Sequence, residues 1–172
     1  MTFNRNFIRY WLPVIFWMCF VFWMSTETFS SQNTFSWIET VLRFLVPKIS
    51  HQDIGLIHAF IRKAAHVIEY FILGLLLFQA FNRRSTAGWN WRWSFFAVIV
   101  VVFWASIDEL HQSFVPTRTA SPVDVGIDIA GGILSQFVIA LWRRHRKKYR
   151  GNGNPKSNRW MSSIPTVISH DL

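Results

Sequence analysis

An all-α bundle of four membrane-crossing helices is the fold class this sequence predicts, on three observations. Apolar residues make up 51% of the chain and aromatic residues 17%, while charged residues reach only 16%, against roughly 25% in soluble domains. Apolar stretches recur four times, starting near Tyr10, Tyr70, Trp93 and Val123. Basic residues gather between some of these stretches and are scarce between others, an asymmetry that orients membrane helices. In water, ten tryptophans and seventeen phenylalanines among 172 residues would leave broad exposed apolar patches.

The first span is expected from about Tyr10 to Ser25 (YWLPVIFWMCFVFWMS), behind Arg5 and Arg9. A secretory leader also begins with basic residues. This stretch, however, is heavy in Trp and Phe and is followed by no small-residue cleavage signal, so a retained helix is expected. Pro13 is placed in the first turn, where a missing N–H costs little. Cys19 is the single cysteine, which excludes an intramolecular disulfide and a cysteine metal cluster; a packed apolar thiol is expected.

Residues 26–57 are mixed. After the polar STETFSSQN, the residues Trp37, Val41, Leu42, Phe44 and Leu45 recur at helical spacing, with Glu39, Thr40 and Arg43 between them. This predicts a short amphipathic helix lying at the membrane interface, stopped by Pro47. The second apolar stretch, Tyr70 to Phe81, is too short to cross roughly 30 Å of hydrocarbon. Its helix is therefore expected to start near Arg62 and to carry His66 and Glu69 into the membrane. The third span is predicted from about Trp93 to Gln112, entered through the interfacial tryptophans Trp89, Trp91 and Trp93. The fourth is predicted from about Val123 to Trp142.

The net charge of +9 is not spread evenly. Eight of the eighteen basic residues follow Leu141, in the run Arg143, Arg144, Arg146, Lys147, Lys148 and Arg150 with Lys156 and Arg159. A basic run directly behind an apolar span is a cytoplasmic flank that meets anionic lipid, so membrane lipid and not nucleic acid is the expected partner. With both termini inside, thirteen basic residues lie on the inner side and five (Arg43, Lys48, Arg62, Lys63 and Arg118) on the outer side. An N-in, C-in topology follows. Residues 1–9 are then a cytoplasmic N-terminus, 10–142 the membrane domain and 143–172 a disordered basic cytoplasmic tail.

In this topology eight of the nine acidic residues fall outside or in the outer half of the membrane. Glu69, Asp108 and Asp128 come from three different helices, each roughly 6–10 Å below the outer helix end at about 1.5 Å per residue. A charge near the bilayer centre costs about 3 kcal/mol or more, so these groups are expected to face one another. Helical spacing agrees. Arg62, His66, Glu69, Tyr70 and Gly74 share one face, Asp108 and Gln112 another, and Asp124 and Asp128 a third. Gly131 and Gly132 permit close helix approach. The object predicted is an outward-opening polar pocket lined by the second, third and fourth spans.

The stretches RKAAHVIEYFILG (Arg62 to Gly74), DELHQSFVPTR (Asp108 to Arg118) and SPVDVGIDIAGG (Ser121 to Gly132) resemble the VanZ-like family of bacterial membrane proteins. Lys63, His66, Glu69, Tyr70, Asp108, Glu109, Gln112, Arg118, Asp124, Asp128 and Gly131 each match that family's three linked elements. The resemblance spans about residues 10–142. It implies a bacterial cell-membrane protein acting in the cell envelope, with a link to tolerance of the glycopeptide teicoplanin.

Three readings of the cluster stay open at this point: a structural network, a pocket for an envelope lipid or cell-wall-related ligand, and a catalytic or metal-binding centre built on His66 and Glu69. An enzyme acting on a lipid-linked, phosphate-bearing substrate is the form the third reading takes, with Arg62, Lys63 or Arg118 holding the phosphate. Of the adjacent pair Asp108 and Glu109, one is expected to face the pocket and one the headgroups. Arg118 either holds an anion or pairs with Asp124. No role is expected for His51, His58 and His111. No cofactor motif is present, and no resident metal or cofactor is expected.

Overall fold

The computed structural model describes residues 5–83, 89–116 and 120–151. Five α-helices and a short 3-10 turn make up this part: α1 (Arg5–Met24), the turn Glu27–Phe29, α2 (Ser31–Leu45), α3 (His51–Phe81), α4 (Trp91–Ser113) and α5 (Pro122–Gly151). There is no strand among the described residues. α1, α3, α4 and α5 are each long and apolar enough to cross a membrane. The exterior is apolar, as a lipid solvent requires, with Leu12, Phe16, Phe95, Phe103, Ile133 and Phe137 pointing outward, and the polar side chains of Asp108, Gln112, Asp128 and Ser135 are buried inside together with apolar ones.

Several boundaries differ from expectation, each for a local reason. α1 begins at Arg5 rather than Tyr10, so Pro13 lies in the helix interior and leaves the Arg9 carbonyl without its helical donor. Cys19, expected to be packed, is exposed on this helix. α2 begins at Ser31, where the Ser30 hydroxyl accepts from the Asn33 amide at 3.4 Å.

The largest difference is in α3, which starts at His51 and not near Arg62. Ser50 accepts from the Asp53 amide at 3.1 Å and donates to Asp53 Oδ2 at 2.7 Å, a reciprocal cap that nucleates the helix three turns early. With 31 residues, α3 is roughly 46 Å long, about 16 Å more than the hydrocarbon core. α5 starts at Pro122, a residue suited to the first helical turn. It continues past Trp142 through the basic run to Gly151, where a disordered tail was expected; residues 152–172 lie outside the described part.

α3 is the central helix and touches α1, α2, α4 and α5. Its most extensive partner is α5. The pairs Lys63–Asp124, His66–Asp128, Gly74–Gln136 and Asn82–Arg143 step along both helices together, so α3 and α5 run parallel. Glycines make the approach close. A Cβ on Gly131 would lie 2.5 Å from the Val67 carbonyl oxygen and one on Gly132 2.6 Å from Val101, while Gly74 abuts Ser135. α1 and α4 run the other way, as the Trp17–Glu69, Trp11–Phe81 and Phe81–Trp93 contacts show. Val14 and Val21 of α1, Tyr70, Leu73 and Leu77 of α3, and Ala97, Val101 and Ala105 of α4 form the apolar core.

At one end of the bundle the rings of Phe7, Trp11, Phe81, Trp93 and Phe96 pack against one another, Phe7 stacked on Trp11 and Phe81 on Trp93, with Trp11 edge-on to Phe81. Arg83 lies over Phe7 and Arg143 over Phe78. All the carboxylates among the described residues lie away from this end.

Candidate functional site

The ionisable cluster sits at the opposite end, where α1 and α4 finish and α5 begins. His66, one turn before Tyr70 on α3, donates from Nδ1 to Asp128 Oδ1 of α5 at 3.0 Å. The Asp128 side chain is fully buried and that of His66 is 12% exposed, so this pair is out of water. One turn nearer the helix start, Lys63 Nζ lies 3.8 Å from Asp124 Oδ1, and here the lysine side chain is half exposed. The α3–α5 interface thus grades from a wet ion pair at its rim to a dry one inside.

α4 brings Asp108, Glu109 and Gln112. Asp108 accepts from the Ser25 hydroxyl at 2.5 Å through Oδ1 and from Gln112 Nε2 at 2.9 Å through Oδ2. Gln112 also reaches the Ser25 oxygen at 3.3 Å. Both bonds to Asp108 neutralise part of a carboxyl that has almost no exposed surface. Glu109 is also buried, contrary to the expectation that one of the adjacent pair would face the headgroups. Its Oε2 accepts from the Ser121 backbone amide at 2.8 Å, just before the first turn of α5. The fold around the short α4–α5 connection therefore gives each carboxylate of the pair its own inward partner, one toward α1 and one toward α5.

Tyr70 occupies the centre. It has no exposed surface, and the carboxylates of Asp108, Asp128, Glu69 and Glu109 all lie within electrostatic reach of its hydroxyl. Glu69 is half-buried and within reach of His66; its backbone carbonyl accepts from Trp17 Nε1 at 2.9 Å. Arg62 is half-buried on the same helix. Three polar atoms in this cluster are buried without a hydrogen-bond partner: Tyr70 Oη, Glu109 Oε1 and Asp128 Oδ2. Such atoms are rare in folded proteins and costly in a low-dielectric interior.

Of the residues singled out in the sequence, His66, Glu69, Tyr70, Asp108, Glu109, Gln112 and Asp128 converge, with Lys63, Asp124 and Arg62 at the rim. Arg118 lies outside the described residues. Asp124, a candidate partner for it, pairs instead with Lys63. The cluster is closed rather than an open pocket, because its central side chains, Tyr70, Asp108 and Asp128, are at most 1% exposed.

Two contributions escaped the sequence. Ser25, the last residue of the first apolar stretch, makes α1 a fourth wall of the site. The one signal for it is that it is the first hydroxyl after an apolar run. His58, to which no role was given, is buried on α3. The Thr34 hydroxyl donates to the Ser30 carbonyl at 2.8 Å, leaving its oxygen to accept from His58 Nε2 at 3.0 Å. This bond ties α2 to the first turns of α3, helped by Phe35 edge-on to both His51 and His58. His111 packs its ring 4.2 Å from that of Phe22, closing α4 on α1 beside Ser25.

No grouping of three His, Cys, Asp or Glu suited to a metal ion occurs among the described residues. The set is one of proton donors and acceptors: a histidine, a phenol, five carboxylates and an amide from α3, α4 and α5, with the Ser25 hydroxyl at the end of α1. Such a set can bind a polar group by directed hydrogen bonds or hold a shared proton. No curated protein and no solved structure matches the chain. The VanZ/LLP1 family model matches residues 10–143, which include every element of this site, and the chain belongs to that family.

Proposed function

We propose that this VanZ/LLP1 protein is a binding protein of the bacterial cell membrane whose four-helix cluster engages an envelope lipid or a cell-wall-related ligand from the outer side. One observation carries the reading: Tyr70 Oη, Glu109 Oε1 and Asp128 Oδ2 are buried together without partners. A network kept only for structure gains most when every member is satisfied, and a half-satisfied one is worse than an apolar core. Atoms left over at the convergence of four helices are the recognition surface for a further group. The outer side is the carboxylate end in the N-in, C-in topology that the basic residues favour. α2, amphipathic and without a buried residue, packs on the first turns of α3 and in this reading lies at that outer interface. Teicoplanin tolerance, where it occurs, follows from occupancy of this site changing what reaches the cell surface.

Isosteric and alanine changes at His66, Glu69, Asp108 and Asp128, scored for membrane abundance and for an envelope-stress or teicoplanin phenotype, test the reading. Loss of phenotype at normal abundance is the expected result. Loss of abundance in all four would overturn it in favour of a purely structural network.

A further inference from the structure

Resting on the binding reading above, we infer that the group recognised is a protonated primary amine and not a phosphate. The hydrogen-bond valences of the cluster decide this. Four donors are already used inward: Ser25 and Gln112 on Asp108, His66 on Asp128, and the Ser121 amide on Glu109; the Tyr70 hydroxyl and His111 Nδ1 are buried without a partner. Two of the three unpartnered atoms at the centre, Glu109 Oε1 and Asp128 Oδ2, are carboxyl oxygens, and the third, Tyr70 Oη, has lone pairs to accept with as well as its own proton to donate. Their side chains are each at least nine-tenths buried. They also lie within electrostatic reach of one another. Five carboxylates, Glu69, Asp108, Glu109, Asp124 and Asp128, are gathered around Tyr70 and His66, against His66 inside and Lys63 and Arg62 at the rim, so the deficit is one of positive charge.

A primary ammonium supplies three N–H donors and one positive charge in a head the size of a methyl group. Three oxygens and three N–H groups match. A phosphate brings only more acceptors and more negative charge to a place where Asp108, Glu109, Asp128 and Glu69 all lie within electrostatic reach of Tyr70. A quaternary ammonium carries the charge but no N–H. A metal ion is disfavoured by the same geometry, since no three suitable ligands converge among the described residues. The chain itself shows the recognition at the rim, where the ammonium of Lys63 lies on Asp124, one turn of α5 before Asp128.

The test uses the full chain in nanodiscs of phosphatidylcholine doped with phosphatidylethanolamine or phosphatidylglycerol. Lipid retained after extraction is read by native mass spectrometry. Methylammonium and inorganic phosphate serve as soluble competitors. Phosphatidylethanolamine should be retained roughly tenfold over phosphatidylcholine, the scale of one charge-assisted hydrogen-bonded contact. Asp128→Asn and Glu109→Gln should each bring that ratio close to one, and Glu109→Gln carries the test alone if Asp128→Asn does not fold. Displacement by methylammonium means that a free amine suffices. Its failure to displace means that the amine must come on a lipid, and either result upholds the inference.

Preference for phosphatidylglycerol or inorganic phosphate, abolished by Asp128→Asn, would overturn the amine and leave the binding site standing. Equal retention of all lipids, unchanged in both variants, would overturn the amine and the binding reading together.

Discussion

Gly131 and Gly126 lie on the same helix, five residues apart, and answer differently to one added methyl. A Cβ at Gly131 would sit 2.5 Å from the Val67 carbonyl oxygen, which is backbone and cannot swing away, whereas nothing lies within 4 Å of Gly126. Gly131→Ala should therefore force α3 and α5 apart and cost about 1–3 kcal/mol. Gly126→Ala should be neutral or stabilise by up to about 1 kcal/mol through helix propensity. Tryptophan fluorescence during denaturation in detergent would check both, and equal midpoints would refute the close-approach reading. Ser25→Ala removes the donor to Asp108 Oδ1 and should cost about 1–3 kcal/mol, because the carboxyl it leaves has no water to turn to. The i, i+4 logic that placed Asp108 with Gln112 and Asp124 with Asp128 was readable from spacing alone, since both members ride one helix. The Ser25–Asp108 and His66–Asp128 bonds were not, because they depend on how separate helices meet. For His66 the sequence suggested Glu69, its neighbour on the same helix, and the actual hydrogen-bond partner came from 62 residues away.

Among the elements, α2 and α3 differ in how they are held. α2 contains no buried residue and is tied down chiefly by the Thr34–His58 bond and the Phe35 ring contacts, while the middle of α3 buries Tyr70, Leu73, Gly74, Leu77 and Phe78. Local opening follows buried contact, so α2 should exchange its amide hydrogens well before residues 66–81. Hydrogen exchange followed by mass spectrometry measures this directly, and equal protection would show that α2 is integral to the bundle. The existence and order of all five helices were legible, because apolar runs and amphipathic spacing are properties of the chain itself. The start of α3 was not inferred correctly. Membrane thickness sets only a minimum length for a crossing helix, whereas Ser50 and Asp53 set the start by capping, a signal four residues wide that hydropathy does not see.

On the scale of the whole molecule, charge is polarised along the bundle axis. Arg83, Arg92, Arg143, Arg144 and Arg146 mark one end, and Asp108, Glu109, Asp124 and Asp128 gather toward the other. The positive-inside asymmetry then predicts that a fluorescent protein fused after Leu172 is bright and that alkaline phosphatase inserted after Ile49 is active. The reverse pattern would invert the molecule and place the cluster on the cytoplasmic side. The parallel pairing of α3 with α5 also bears on how the chain is made. α3 leaves the ribosome with Lys63 and His66 long before their partners Asp124 and Asp128 are synthesised, and a charged residue penalises entry into lipid by about 2.5–3.5 kcal/mol at the helix centre. During that interval α3 is a reluctant passenger, held by its own apolar half. Arrival of the last span lets it settle, so membrane integration of this protein is completed from its C-terminal helix backwards.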